Sequence, residues 1–213
     1  MKEEKILIEL IERYPKLESC RETIKSAYEI LSVTFGNKKK LLVAGNGGSA
    51  ADSEHIVGEL MKGFIKRREL EEREQQKILE VDKEFGESLC KNLQQALPAI
   101  ALTGHIALTT AYLNDVEGKI GFAQQLYAYG EEGDTFLGIT TSGNSDNILY
   151  TMVAAKSKGL ATIALTGKDG GRIKEIADVS IIVPEIETFK IQELHLPIYH
   201  TLCLMLEEHF FML

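Results

Sequence analysis

Five short apolar runs, most of them followed by a helix-prone stretch, constrain the fold of this chain more than any other feature. The runs are KLLVAG (40–45), PAIALT (98–103), DTFLGITT (134–141), ATIALTG (161–167) and DVSIIV (178–183). Each is nearly continuous in apolar residues, the pattern of strands buried on both faces of a parallel sheet. Helix-prone segments lie between most of them, at 47–65, 105–128, 145–158 and 170–177. Parallel strands need crossovers, and helices supply them. The alternation therefore predicts an α/β protein, a three-layer sandwich around a five-stranded parallel sheet of flavodoxin or Rossmann type.

Helices are also expected outside this unit. Two open the chain, over 2–14 and 16–36, parted at Pro15, and one closes it over 187–213. They would flank the sheet, and their apolar faces can pack on another subunit. At 213 residues the chain suits one such domain with a substantial core and is short for two. We therefore read 1–213 as a single domain. The stretch KRRELEEREQQKILEVDKEFGESLCKNLQQ (66–95) breaks the rhythm. Its charge density predicts a solvated helical insertion, with a lid or an interface element as the alternatives.

Charge limits the partners. The formal net charge of -8 argues against nucleic acid and against an anionic membrane surface. No apolar run approaches the length of a spanning helix. The alternating-charge start MKEEKILIELIERY is unlike a signal peptide. Cys20, Cys90 and Cys203 are an odd, widely spaced set with no CxxC pair, which suits buried thiols in a reducing cytoplasm.

Two loops carry the chemistry. In GNGGS, residues 45–49, a strand ends in glycines and turns directly into a helix. Free backbone N–H groups and the positive helix end favour an anion there, and glycine lets the backbone come close. The pattern is neither GxGxxG nor a Walker A motif, and a plain tight turn has the same residues. In ITTSGNSDN (139–147), Thr140, Thr141, Ser142 and Ser145 surround Gly143 and Asn144 after another strand. Both loops would lie beyond the carboxyl ends of their strands, where open parallel sheets bind ligands. Hydroxyls with backbone amides suit a phosphate without lysine or arginine, although Ser145 is also a natural helix N-cap. A third loop, TGKDGGRIKEIAD (166–178), reads as structural, with Asp169 as the cap of a helix opened by Gly170 and Gly171.

Further candidates lie on helices. His55 and Glu59 share a helix face at i, i+4, within reach of one proton or one metal ion. Gln192, Glu193, His195, His200 and His209 lie on the last helix. Gln192 and His200 are eight residues apart, roughly 12 Å of helix axis, which is long for one ion. A kink at Pro197 would narrow the gap. Asn114 and Asp115 end a helical stretch, as a site or simply as a terminus.

These motifs, GNGGS with DSEHIVGEL, LND, GITTSGNS, LTGKDGG and IQELHLPIYH, together resemble the sugar isomerase (SIS) family, in order and over nearly the whole chain apart from 66–95. The resemblance is strongest to its branch that isomerises sedoheptulose 7-phosphate. It implies that Asn46, Gly47, Gly48 and Ser49 hold the substrate and that Thr140, Thr141, Ser142 and Ser145 grip its phosphate. Asn114, Asp115 and Gln192 would touch the sugar. Glu59, which also contacts substrate, and His200 would be the acid/base pair. His55, Glu59, Gln192 and His200 match positions that bind one zinc ion per subunit, with no nucleotide cofactor. The product would be D-glycero-D-manno-heptose 7-phosphate, formed through an enediol by a cytoplasmic homotetramer with sites near subunit interfaces. Lys190, Phe189 and Thr140 depart from the residues common in the family, as does the longer 66–95 link. Two other readings stand beside this one. One is an isomerase or sensor for another phosphosugar. The other is a non-catalytic SIS protein that binds the replication initiator, a subgroup typically without the residues that match Glu59 and His200.

Overall fold

The structure, a computed structural model, describes residues 2–211. Strand β1, Leu41–Gly45, is buried at all five positions and sits between β2 (Ala99–Ala101) and β3 (Thr135–Thr140). Strands β4 (Ala161–Thr166) and β5 (Val179–Ile182) extend the sheet to give the order β2-β1-β3-β4-β5, parallel throughout. The reversal between β1 and β3 is the switch point at which such sheets leave a crevice. All five runs expected as strands are strands, each trimmed by one to three residues.

Alternate side chains of each strand leave on opposite faces and seed two cores. Leu41, Val43, Leu137, Ile139, Ile163, Leu165 and Ile181 pack under four helices. These are α1 (Lys2–Arg13), α2 (Arg21–Gly36), α3 (Gly48–Met61) and α9 (Thr188–Phe210). Leu42, Ala44, Phe136 and Ala164 pack on the other face under α7 (Gly121–Tyr129) and α8 (Asp146–Ser157). Each large apolar side chain so buried contributes about 1.5–3 kcal/mol.

Four expectations need correction. The second opening helix starts as a 3₁₀ turn, Pro15–Cys20, with proline at its entry, where a missing N–H costs nothing, and the α-helix begins only at Arg21. The stretch 105–128 is not one helix: α6 (Ile106–Asp115), a 3₁₀ turn Gly118–Ile120 and α7 divide it. Gly118 lies so close to Leu113 that a Cβ would come within 2.6 Å of its side chain, so the chain folds back there. The stretch 170–177 forms only a 3₁₀ turn, Arg172–Glu175. Gly170 and Gly171 both have positive φ, and Asp169 Oδ1 accepts from Gly171 N (3.0 Å) in a turn of its own.

The fourth correction concerns 66–95. It is not helical throughout: residues 62–71 run irregularly, and only then do α4 (Glu72–Val81) and α5 (Lys83–Asn92) form a hairpin. Asp82 makes the break, extended and accepting from Phe85 N (2.8 Å) as the cap of α5.

Candidate active site

The glycine loop is built around a close approach. A Cβ on Gly45 would lie 2.4 Å from the carbonyl oxygen of Ser49, and Gly47 has a φ of 55°. Helix α3 therefore starts immediately beyond β1 with no side-chain cap. Ser49 N and Ala50 N donate back to Asn46 O and Gly47 O (3.0 Å each), so Gly47 and Gly48 carry the N–H groups not used in that turn. The serine loop sits beside it on β3. Thr140 Oγ1 and Ser145 Oγ are 2.9 Å apart, and Asn46 and Asn147 exchange reciprocal amide bonds of 2.9 and 2.8 Å across the two loops.

Between them lies a cavity of about 290 Å³. Asn46, Gly47, Gly48, Ser49, Thr140, Thr141, Ser145 and Gln192 all line it, together with Thr188. Ser142 does not: its Oγ accepts from Asn144 N (3.2 Å) within the turn. The third glycine loop braces this wall. A Cβ on Gly143 would meet the Gly170 carbonyl oxygen at 2.0 Å, and Ile173 N donates to Gly143 O (3.0 Å).

From this cavity α3 and α9 run side by side in the same direction. Gly48 faces Gln192, whose Nε2 would stand 2.6 Å from a Cβ there. Two turns further on, the His55 ring lies 5.5 Å from that of Tyr199 and 4.9 Å from that of His200, centroid to centroid. Pro197 does not end α9, which continues from Thr188 to Phe210. The carbonyl that loses its i→i−4 partner belongs to Glu193, an exposed residue. The expected narrowing at Pro197 is therefore not needed to keep the helix intact, and the eight-residue spacing persists. Gln192 stays with the loops, whereas His200 opens into a separate cavity of about 300 Å³ with Arg13, Tyr14 and Phe64. Asn114 and Asp115 are likewise apart, exposed at the end of α6 and bonded to each other at 2.6 Å.

Glu59 and His55 meet in this seam, with His55 Nε2 3.2 Å from Glu59 Oε1. Lys62 Nζ holds the other carboxylate oxygen at 3.2 Å. Tyr199 donates to Asp52 Oδ1 (3.2 Å); with its hydrogen so spent it receives the Nδ1–H of His55 (3.1 Å). Nε2 then faces the Glu59 carboxylate at a distance where a proton or a cation can bridge the two. Burial pushes the Asp52 carboxyl up, against the Tyr199 hydrogen bond and the charge of His55, and pushes the Tyr199 phenol up as well. Burial and the neighbouring His55 lower His200, whose Nε2 is buried without a hydrogen-bond partner.

Asp52, Tyr199, Asn147 and Thr188 are the site residues the sequence did not single out. Asp52 had a signal, since 52, 55 and 59 share one helical face. Asn147 and Thr188 lie two and four residues from Ser145 and Gln192, and only Tyr199 is brought to its partner His55 from far along the chain. His195 points elsewhere: it is fully buried, its Nε2 is 3.3 Å from Thr166 O, and burial lowers it to about 4, which makes it a neutral core residue.

For a metal, the donors are of the right kind but unevenly placed. His55 and Glu59 meet, and His200 adds an orphaned buried nitrogen, an N/O set that suits zinc. Among the described residues, however, no three His, Cys, Asp or Glu side chains close on one point.

A polar cavity between two strand-end loops, on a helix that carries a Glu–His pair further along, fits a phosphosugar isomerase, and the comparisons bear this out. The SIS domain model matches residues 77–167. The chain is 39% identical to the phosphoheptose isomerase of a Nitratiruptor species over 208 residues, 97% of each chain. It is 37% identical to one from Helicobacter pylori, over 91% of this chain and 88% of that one. Among solved structures, the phosphoheptose isomerase of Neisseria gonorrhoeae superposes with a TM-score of 0.73 at 30% identity, over 98% of this chain and all of that one. That of Francisella tularensis gives 0.76 at 31% identity, over 94% and 92%. The chain belongs to the phosphoheptose isomerase family.

Proposed function

We propose that this isomerase converts sedoheptulose 7-phosphate to D-glycero-D-manno-heptose 7-phosphate through an enediol. The observation that carries the reading is the α3 stripe. The helix whose N-terminus opens the anion cavity presents Glu59, held by His55 and Lys62, further along the same seam.

In this reading the phosphate rests on the N–H groups of Gly47 and Gly48 and the hydroxyls of Thr140, Thr141 and Ser145, with Ser49 and Asn46 lining the same cavity. Ser142 keeps those hydroxyls in place through its turn, and Gln192 orients the sugar from α9. Asn114 and Asp115 meet the far end of the sugar. Glu59 removes the proton from the carbon beside the carbonyl, and His200, kept neutral by burial, exchanges the hydroxyl proton as the double bond moves. The proton returns to the neighbouring carbon, and no electron acceptor is involved. The family resemblance implies zinc on His55, Glu59, Gln192 and His200; the structure sets His55 beside both Glu59 and His200 and leaves Gln192 at the loops, and a bound ion would polarise the carbonyl.

The active form we infer is a cytoplasmic homotetramer. Support comes from exposed apolar side chains on and just after α6, Ile106, Leu113 and Val116, and from three cysteines that are all free. No helix among the described residues is long and apolar enough to cross a membrane.

The test is turnover of sedoheptulose 7-phosphate in deuterated water. Deuterium should enter at the carbon beside the carbonyl with formation of the aldose. Glu59→Gln should lower the rate by about 10²–10⁴-fold. Exchange that survives in Glu59→Gln would remove Glu59 as the base, and no exchange with the unmodified protein would remove the substrate.

A further inference from the structure

Between α3 and α4 the chain buries a full charge. Arg68 and Glu207 are each only 2% exposed. The Glu207 carboxylate accepts from three successive backbone N–H groups, Phe64 (2.8 Å), Ile65 (2.9 Å) and Lys66 (3.2 Å), and from Arg68 Nε (3.0 Å). The guanidinium does not stop there. Its Nη1 donates to Leu60 O (2.7 Å) and its Nη2 to Glu59 O (3.2 Å), while its plane lies over the Phe211 ring at 4.5 Å.

Those carbonyls are among the last of α3, the ones a helix leaves unpaired, where a cation is favourable. One guanidinium thus ties the end of α3 to α9, two turns beyond His200. A buried ion pair is seldom more stabilising than apolar residues of the same volume, so its stability alone gives little reason for this arrangement. Its reach gives more. It holds the backbone of Glu59 directly. Through Glu207 it also holds Phe64, whose ring lies 5.4 Å from that of His200.

We propose that Arg68 and Glu207 are positioning residues that set the placement of Glu59 relative to His200 by clamping α3 to α9. The inference rests on the reading of Glu59 and His200 as the acid/base pair. Arg68→Lys is the sharpest probe: an ammonium can pair with Glu207, but it lacks the planar fork that also spans both carbonyls. A small misplacement of a reacting group costs up to about 10²-fold in rate. Arg68→Lys should therefore lower kcat about 10–100-fold and leave KM for sedoheptulose 7-phosphate within about twofold.

Two companions make the result decisive. Leu31→Ala, in the core under α2 and outside the hydrogen bonds of Arg68 and Glu207, should lower Tm and retain kcat. Glu207→Gln keeps the shape of the acceptor and serves if Arg68→Lys does not fold; it should show the same split between kcat and KM. A folded Arg68→Lys or Glu207→Gln with unchanged kcat overturns the proposal. So does a fall in kcat that Leu31→Ala reproduces at equal loss of Tm. Glu59→Gln, assayed alongside, separates the two levels. If it is active, the acid/base reading has failed; if it is dead while Arg68→Lys keeps full kcat, only the clamp has.

Discussion

Residues 66–95 form one charged block in the sequence and two different objects in the structure. The base, 62–71, is sewn into the molecule. Arg68 is buried against Glu207, Gly63 N donates to Gln94 Oε1 (3.0 Å), and Gln95 N donates to Arg68 O (2.7 Å). The hairpin α4–α5 beyond it buries no side chain: Gly86, which has none, is its only buried residue. Val81 and Phe85 are 87% and 71% exposed. Hydrophobicity does not distinguish the two, since the base has Phe64, Ile65 and Leu70 and the hairpin has Ile78, Leu79, Val81, Phe85 and Leu89. What differs is whether the backbone N–H groups find a buried acceptor. In 64–66 they find Glu207; in α4 and α5 they are satisfied within each helix and ask nothing of the rest.

The largest test of this contrast is Arg68→Ala. It leaves the Glu207 carboxylate buried without its charge partner, and losing one member of such a pair costs about 3–5 kcal/mol. Denaturant unfolding of the whole protein should show the loss. A change below about 1 kcal/mol would mean the base is no better anchored than the hairpin.

Acid gives a smaller, graded version. Burial raises the Glu207 carboxyl, but the N–H groups of Ile65, Phe64 and Lys66 with Arg68 outweigh it and hold the group below the usual carboxylate range. A carboxylate lowered in the folded state adds stability above its unfolded pKa and gives it up as pH falls through the folded one. Tm should therefore drop on acidification below about pH 4.5, and less steeply in Glu207→Gln. Equal slopes for the two proteins would show that Glu207 is not stabilised by these contacts.

The smallest effect belongs to the hairpin. Phe85→Ser should change stability by less than about 0.5 kcal/mol, as exposed positions do. A loss of several times that, with a change in apparent mass by light scattering, would show the hairpin seated on another copy of the chain.

The sheet was legible because its signal is local. Two-sided burial makes LLVAG or TFLGIT nearly continuous in apolar residues, and no other part of the chain is needed to see it. The two binding loops were legible for a related reason. A glycine that must approach a backbone, such as Gly45 or Gly143, cannot be replaced by a larger residue without a clash, so the constraint is written at the residue itself. Even the neighbourhood of His55 and Glu59 follows from helical spacing alone.

Tertiary structure decided what long-range geometry decides. Nothing local to Tyr199 says that its hydroxyl will fix the tautomer of a histidine 144 positions earlier. Nothing in KRREL marks Arg68 rather than Arg67 as the buried cation. Gln192 and His200, alike in being polar residues on one helix, were divided between two cavities by where α3 lies alongside α9. Periodicity fixes which side chains share a face of one helix. Only packing two helices together fixes which of them meet, because that depends on the distance and register between elements that the chain joins through more than a hundred intervening residues.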